Sequence, residues 1–214
     1  MGTTVADVMT SRVIAVKRNA DFKQVAEVLR RYRVSACPVI DDAGRPVGVV
    51  SEADLLYKAA DCELPAVLIR LRWKLGQESK ITAATARELM TSPAVTIQAE
   101  VPVQVAARVM RDRRLKRLPV VSKDGELIGI ISRADVLGVY DRPDADILAE
   151  VTHVLASELG TTPDDFEATV SSGVVTLTGS VAQQETALEL IARLRHVEGV
   201  VAVRDRLAVG EPID

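Results

Sequence analysis

Apolar residues in this chain fall into short β-branched runs and helical spacings, and the whole alternation then occurs a second time. Val13-Ile14-Ala15-Val16 predicts a short strand. Phe22, Val25, Ala26, Val28 and Leu29 then recur at helical spacing, with Asp21 placed as a first-turn or cap charge. Pro38-Val39-Ile40 and Val47-Gly48-Val49-Val50 read as strands around Asp41-Asp42-Ala43-Gly44, a hairpin turn by composition. Ser51 through Asp54 opens a second helix, and either residue can cap it. Displaced by 81 positions, the pattern returns: a strand near Val95–Ile97, a helix over Val103–Arg113, a hairpin across Lys123-Asp124-Gly125 and a helix from Ser132.

The residues repeat as well as the pattern. Gly-Val-Val-Ser-Glu-Ala-Asp at 48–54 matches Gly-Ile-Ile-Ser-Arg-Ala-Asp at 129–135. Met9-Thr10-Ser11 falls on Met90-Thr91-Ser92, Pro38-Val39 on Pro119-Val120 and Gly44 on Gly125. A repeat of this length is one supersecondary unit stacked on its copy. The pairing predicts pseudo-two-fold symmetry and paired clefts, an arrangement suited to sensing a ligand.

Two segments fall outside the duplication. Residues 58–84 are too long for a simple connection in a compact domain. Within them, residues 65–75 (Pro65 to Leu75) predict a basic amphipathic helix that packs on the repeats as a linker, lies on an anionic membrane or docks on a partner. After Arg142-Pro143, Ile147, Val151, Val154 and Leu155 predict a helix ending near Gly160. A period-two strand follows over Gly173–Val181, then a helix over Ala187–Leu194 and strands at Val200–Val203 and Arg206–Val209. The expected organisation is therefore residues 1–57 and 85–140 as repeats, 58–84 as an insertion and 144–210 as a small α+β domain.

Composition narrows the function. A net charge of −3 argues against a general nucleic-acid binder. Cys37 and Cys62 form no zinc or disulfide pattern, and Cys37, in an apolar run, reads as a small core residue. His153 and His196 lie in no ligand spacing, and no P-loop or nucleophile elbow occurs. No required cofactor, no metal site and no catalytic residue is expected; the chain reads as a non-enzyme. The start of the chain lacks a secretory pattern and no run reaches the roughly 18 apolar residues of a membrane span, so a cytoplasmic location is expected.

The Met-Thr opening, Val34-Ser35-Ala36-Cys37-Pro38 and the Gly-x-x-Ser-x-x-Asp ending, twice in register, resemble a tandem pair of CBS domains, a Bateman module. The resemblance covers about residues 5–57 and 85–138. The last segment resembles a BON domain through Gly-Val-Val-Thr-Leu-Thr-Gly and Val197-Glu198-Gly199-Val200-Val201-Ala202-Val203. The resemblance implies a mixed α+β fold: two β-α-β-β-α repeats plus a small α+β BON domain.

It also implies adenosine-containing ligands in the clefts: AMP, ADP or ATP, with S-adenosylmethionine ranked lower. Asp54 and Asp135 would accept ribose hydroxyls, and Ser51 and Ser132 would offer hydroxyls beside helix amides that favour phosphate. Arg133 would add a phosphate contact that Glu52 cannot. By the same resemblance, backbone groups around Val34, Ser35 and Ala36, and around Leu115, Lys116 and Arg117, would line the adenine pocket. Thr10 and Thr91, with Ile14 and Val95, would complete the wall. The competing reading is plain: Ser-x-x-Asp is also an ordinary capping box, and Gly48 and Gly129 could simply ease a tight strand. Lys116, Arg117 and Arg133 are expected to cluster at the second Ser-x-x-Asp, making it the stronger phosphate site.

The leading function is a non-catalytic nucleotide sensor relaying to the BON domain or a protein partner. The alternative is a membrane-surface or phospholipid-associated protein acting through BON. A homodimer is expected too, because Val25, Val28, Leu29, Val105, Val109 and Met110 offer more apolar helix surface than a small core absorbs.

Overall fold

The computed structural model describes residues 2–60, 83–159, 166–181 and 183–210. The basic helix expected over 65–75 and Cys62 lie outside the described residues. The chain divides into two units, Thr4–Arg133 and residues 134–214 together with the first three.

In the first unit the duplication is reproduced in element order and strand register. The first repeat runs α1 (Val5–Val8), β1 (Val16–Lys17), α2 (Phe22–Tyr32), β2 (Ala36–Ile40), β3 (Pro46–Ser51) and α3 (Glu52–Ala60). The second runs α4 (Ala86–Leu89), β4 (Ile97–Gln98), α5 (Val103–Asp112), β5 (Arg117–Val121) and β6 (Leu127–Ser132), followed by α6 (Arg133–Gly138). Each repeat forms a three-stranded sheet with its first strand parallel to the second and its third antiparallel. Val16 pairs Val39 as Ile97 pairs Val120, and each hairpin slips register near its turn, after Val39 and after Val120. Gly44 and Gly125 turn those hairpins at φ of 76° and 83°, a region glycine enters without steric cost.

Helix α2 starts where the sequence places Asp21. The Asp21 carboxylate accepts from the Gln24 amide at 2.9 Å and the Gln24 side chain accepts from the Asp21 amide at 2.9 Å, a capping box. Its apolar stripe buries Val25 and Leu29 against Cys37, Val39 and Val50. Leu118, Val120 and Ile131 are fully buried at the corresponding sites of the second repeat.

Two expectations need correction. The strand expected over Val13–Val16 is confined to Val16–Lys17, because the chain before it crosses to the other repeat. Thr10 exchanges both backbone bonds with Ile130, and Thr91 does the same with Val49. One-turn helices α1 and α4, unseen in the periodicity, open each repeat and dock on the opposite one: Val5 and Ala6 amides donate to Val101 and Ala99, while Ala86 and Arg87 donate to Ala20 and Arg18. Secondly, the surplus apolar surface behind the expected dimer is smaller than its sequence suggests. Val25, Leu29 and Met110 are buried within this unit, Val28 and Val109 are half-buried, and only Val105 of the six is exposed.

The second unit contains α7 (Asp144–Leu159), β7 (Phe166–Ser171), β8 (Val174–Val181), α8 (Gln184–Leu194) and β9 (Ala202–Val209). Its sheet order is β7-β8-β9, with β8 and β9 parallel and joined through α8. Ile147, Val151 and Leu155 of α7 meet Leu190 and Leu194 of α8 over Val175 and Leu177 of β8. Strand β7 was not evident in the sequence, and the two expected terminal strands are one continuous β9. The Asp144 carboxylate accepts from the Ser172 and Gly173 amides at 2.7 and 2.8 Å, fixing the β7–β8 turn.

Cys37 occupies the core as its apolar neighbours predict. Burial pushes its thiol from near 9.0 up to about 11, against a smaller lowering pull from the Arg117 guanidinium. Because the folded value is raised, this thiol's contribution to stability is intact below about pH 9 and lost as pH rises toward 11. In a Cys62→Ser variant, a thiol reagent at pH 8 should leave Cys37 unmodified until denaturant is added. Rapid labelling of the native protein would show the thiol to be accessible.

Candidate functional site

Strand β3 passes directly into α3 at Ser51, and this junction builds the site. The Glu52 amide donates to the Ser35 carbonyl at 3.0 Å, tying the start of α3 to the chain entering β2. Asp54, in the first turn of α3, is 7% exposed, the one charged residue in the buried class among those described. Its Oδ2 accepts from the Ser51 amide at 2.8 Å and from Ser51 Oγ at 2.7 Å. The capping reading of Ser-x-x-Asp is therefore realised physically. A carboxylate has about four lone-pair directions, so capping by Ser51 is compatible with sugar hydroxyls sharing the same group.

Asp54 faces a cleft of about 480 Å³ between the repeats. One wall comes from the first repeat: Ser35, Ala36, Val49, Ser51 and the first turns of α3. The other comes from the second: Thr91, Pro93, Ala94 and Val95, then Arg114 through Arg117. The cavity falls within the roughly 300–1,000 Å³ of small-molecule sites. Its lining pairs an apolar slot (Val49, Ala94, Val95, Leu115) with convergent polar groups at one helix start.

Of the expected residues, this cleft gathers Ser35, Ala36, Ser51, Asp54, Thr91, Val95, Leu115, Lys116 and Arg117. Thr10, Ile14, Val34, Ser132, Arg133 and Asp135 do not line it. Ser132 ends β6, and Arg133 and Asp135 lie in the first turn of α6. Val49, Ala53, Leu56, Pro93, Ala94 and Arg114 line the cleft without having been anticipated, and Glu52 stands beside Asp54 as expected. Arg114 was detectable as the 81-residue counterpart of Arg33; both take left-handed backbone conformations, at φ of 55° and 52°.

The expected charge asymmetry is rearranged. Lys116 and Arg117 stand on the wall of the Asp54 cleft, the one expected to be phosphate-poor. Arg117 Nη1 donates to the Ala36 carbonyl at 3.0 Å and Nη2 donates to Ser35 Oγ. Ala36 is the counterpart of Arg117 itself, so this guanidinium stitches two equivalent positions across the pseudo-dyad. Arg133 Nε donates to the Leu115 carbonyl at 2.8 Å, and the Arg133 amide donates to the Lys116 carbonyl at 3.1 Å. Arg133 thus holds the backbone of the wall, and the phosphate role expected of it has a structural competitor.

Among the described residues no group of three or more metal-ligating side chains is present, and no helix is long and apolar enough to cross a membrane. His153 is exposed, and His196 Nδ1 lies 2.7 Å from the Ala192 carbonyl, a helix-end contact.

Comparison with known proteins places these features. The model of the CBS domain matches residues 5–61 and 86–142, and that of the BON domain matches 143–211. The chloroplastic CBS domain-containing protein CBSX2 of Arabidopsis thaliana is 35% identical over 151 residues, 64% of this chain and 63% of that protein, so the chain spans under two thirds of this relative. The crystal structure of CBSX2 in complex with AMP superimposes with a TM-score of 0.56 at 32% identity, covering 64% of this chain and 95% of that one. The CBS domain pair of protein MJ0100, in complex with 5′-methylthioadenosine and S-adenosyl-L-methionine, shares the fold at a TM-score of 0.53 and 20% identity, over 66% of this chain and 98% of that one. Duplicated sheets, exchanged opening helices and a cleft between the copies accord with these matches: the chain belongs to the CBS-domain family, as two CBS repeats followed by a BON domain.

Proposed function

We propose that this chain is a non-catalytic regulatory protein that binds an adenine nucleotide in the Asp54 cleft. The observation that carries the reading is the buried Asp54 carboxylate at the start of α3, facing an apolar slot drawn from both repeats. The AMP complex of CBSX2, 32% identical, supports the ligand class. Ribose hydroxyls would donate to Asp54, and the base would lie against Val49, Ala94 and Val95. Phosphate would meet the amides at the start of α3 and the cations of the opposite wall. Asp135, the sequence counterpart of Asp54, is proposed for the same role in the second repeat.

A ligand held by both repeats bears on their relative packing, and it shifts that packing only through unequal affinity for two arrangements. Relay to the BON domain or to a protein partner belongs to this proposal. Calorimetric titration with AMP, ADP, ATP and S-adenosylmethionine tests it; no heat and no thermal shift with any of them would remove it. The homodimer is proposed on the exposed Val105 beside half-buried Val109 on α5. Light scattering that gives the mass of one chain at micromolar concentration would count against it.

A further inference from the structure

We propose that the Asp54 cleft selects nucleotides by phosphate number, favouring a di- or triphosphate over a monophosphate, with Arg114 and Lys116 as the selecting residues. This rests on the adenine-nucleotide reading above and adds the ligand's charge class. Five charged side chains line the cleft: Arg114, Lys116 and Arg117 against Glu52 and Asp54.

Two of the five already have structural duties that bury or anchor them. Asp54 accepts from Ser51, and Arg117 donates to Ser35 and Ala36. Arg114 and Lys116 are different. Both are exposed, and among the described residues no hydrogen bond or ion pair engages either side chain. Their backbone is nevertheless fixed on both sides. The Arg114 amide donates to the Arg111 carbonyl at 3.2 Å, and Arg133 grips the carbonyls of Leu115 and Lys116. Among the described residues, two exposed cations without acid partners are thus carried on a braced segment of the cleft wall.

The pseudo-symmetry sharpens the point. The counterpart of Lys116 is Ser35, so the added charge is a departure from the copied pattern. Glu52 sits on the opposite wall, at the start of α3, and opposes a single phosphate held close to that helix. Each further phosphate would extend the chain of charge away from Glu52 toward the second-repeat wall, where the exposed Arg114 and Lys116 stand. The attraction is between solvent-exposed groups, so salt weakens it over a screening length of about 10 Å.

The test is calorimetry on the full chain with adenosine, AMP, ADP, ATP and S-adenosylmethionine, at about 50 mM and about 300 mM salt. ATP is expected to bind about tenfold more tightly than AMP at the lower salt, on the scale of a pair of charge-assisted contacts. ADP should fall between them, and the gap should narrow at the higher salt. S-adenosylmethionine, which carries a sulfonium cation, should bind more weakly than AMP. The double variant Arg114→Gln/Lys116→Gln should bring ATP to about the affinity of AMP while changing adenosine by less than about twofold. ATP binding no more tightly than AMP to the native protein overturns the proposal, as does equal loss of ATP and adenosine in the double variant. AMP binding without ATP preference defeats only this inference, whereas silence with all five ligands defeats the nucleotide reading beneath it.

Discussion

Gly48→Ala should destabilise the protein by about 1–3 kcal/mol, the usual cost of overpacking a well-filled site, while the equivalent Gly129→Ala should cost under about 1 kcal/mol. Neither glycine has a positive φ, so backbone strain does not enter. The difference lies in what an added methyl group meets. At Gly48 it would collide with Met90 Sδ, lie 2.8 Å from Met90 Cγ and stand 2.9 Å from the Thr91 carbonyl oxygen. At Gly129 the three nearest atoms all belong to Met9, with Sδ in collision, Cγ at 3.1 Å and Cε at 3.3 Å. A methionine side chain has three rotatable bonds and can yield. The Thr91 carbonyl cannot, because Val49 donates to it at 3.0 Å and the Thr91 amide donates back at 2.9 Å. Those two bonds are the crossing that joins the repeats on the cleft side. Denaturant midpoints of the two variants provide the comparison, and equal or reversed costs would refute the assigned role of the Thr91 carbonyl.

Asp54→Ala should weaken nucleotide binding by about 1.5–3 kcal/mol, the scale of hydrogen bonds to a charged group, or roughly tenfold to a hundredfold in affinity. The same change removes the acceptor of the Ser51 amide and hydroxyl, so a further loss of about 1 kcal/mol in folding stability is expected from the damaged cap. The two effects separate with Asp54→Asn, which retains the size and one acceptor oxygen but loses the charge. A ligand role predicts that affinity falls in both variants while Asn recovers much of the melting temperature. If affinity is unchanged in Asp54→Ala, the carboxylate serves only the helix and the ribose assignment fails. Asp135→Ala, measured alongside, reports whether its counterpart shares the role.

The local pattern made much of this molecule legible. Apolar runs of three and four residues bounded by turn chemistry predicted the first hairpin, the repeat implied the second, and β2, β3, β5 and β6 form close to where they were expected. Helical spacing with Asp21 at its head predicted α2, and the 81-residue displacement implied a second copy with the same register. Ser51 and Asp54 were recognisable as a pair because a capping box and a sugar-binding carboxylate require the same residues at a helix start.

The tertiary structure decided how the copies share their parts. Helices α1 and α4 are single turns, too short to show a period, and their signal was confined to Thr4 with Asp7 and Thr85 with Glu88. Each docks on the opposite repeat, so the segment before β1 runs between sheets instead of extending the strand. That crossing makes one cleft from the helix start of the first repeat and the wall of the second. Lys116 and Arg117 consequently stand opposite Asp54, whereas position in the sequence assigns them to Asp135. Sequence proximity determines which residues share a strand or a helix turn. It does not determine which side chains meet across a pseudo-two-fold seam, because that depends on backbone pairing between positions roughly 40 or 120 residues apart, such as Val49 with Thr91 and Thr10 with Ile130.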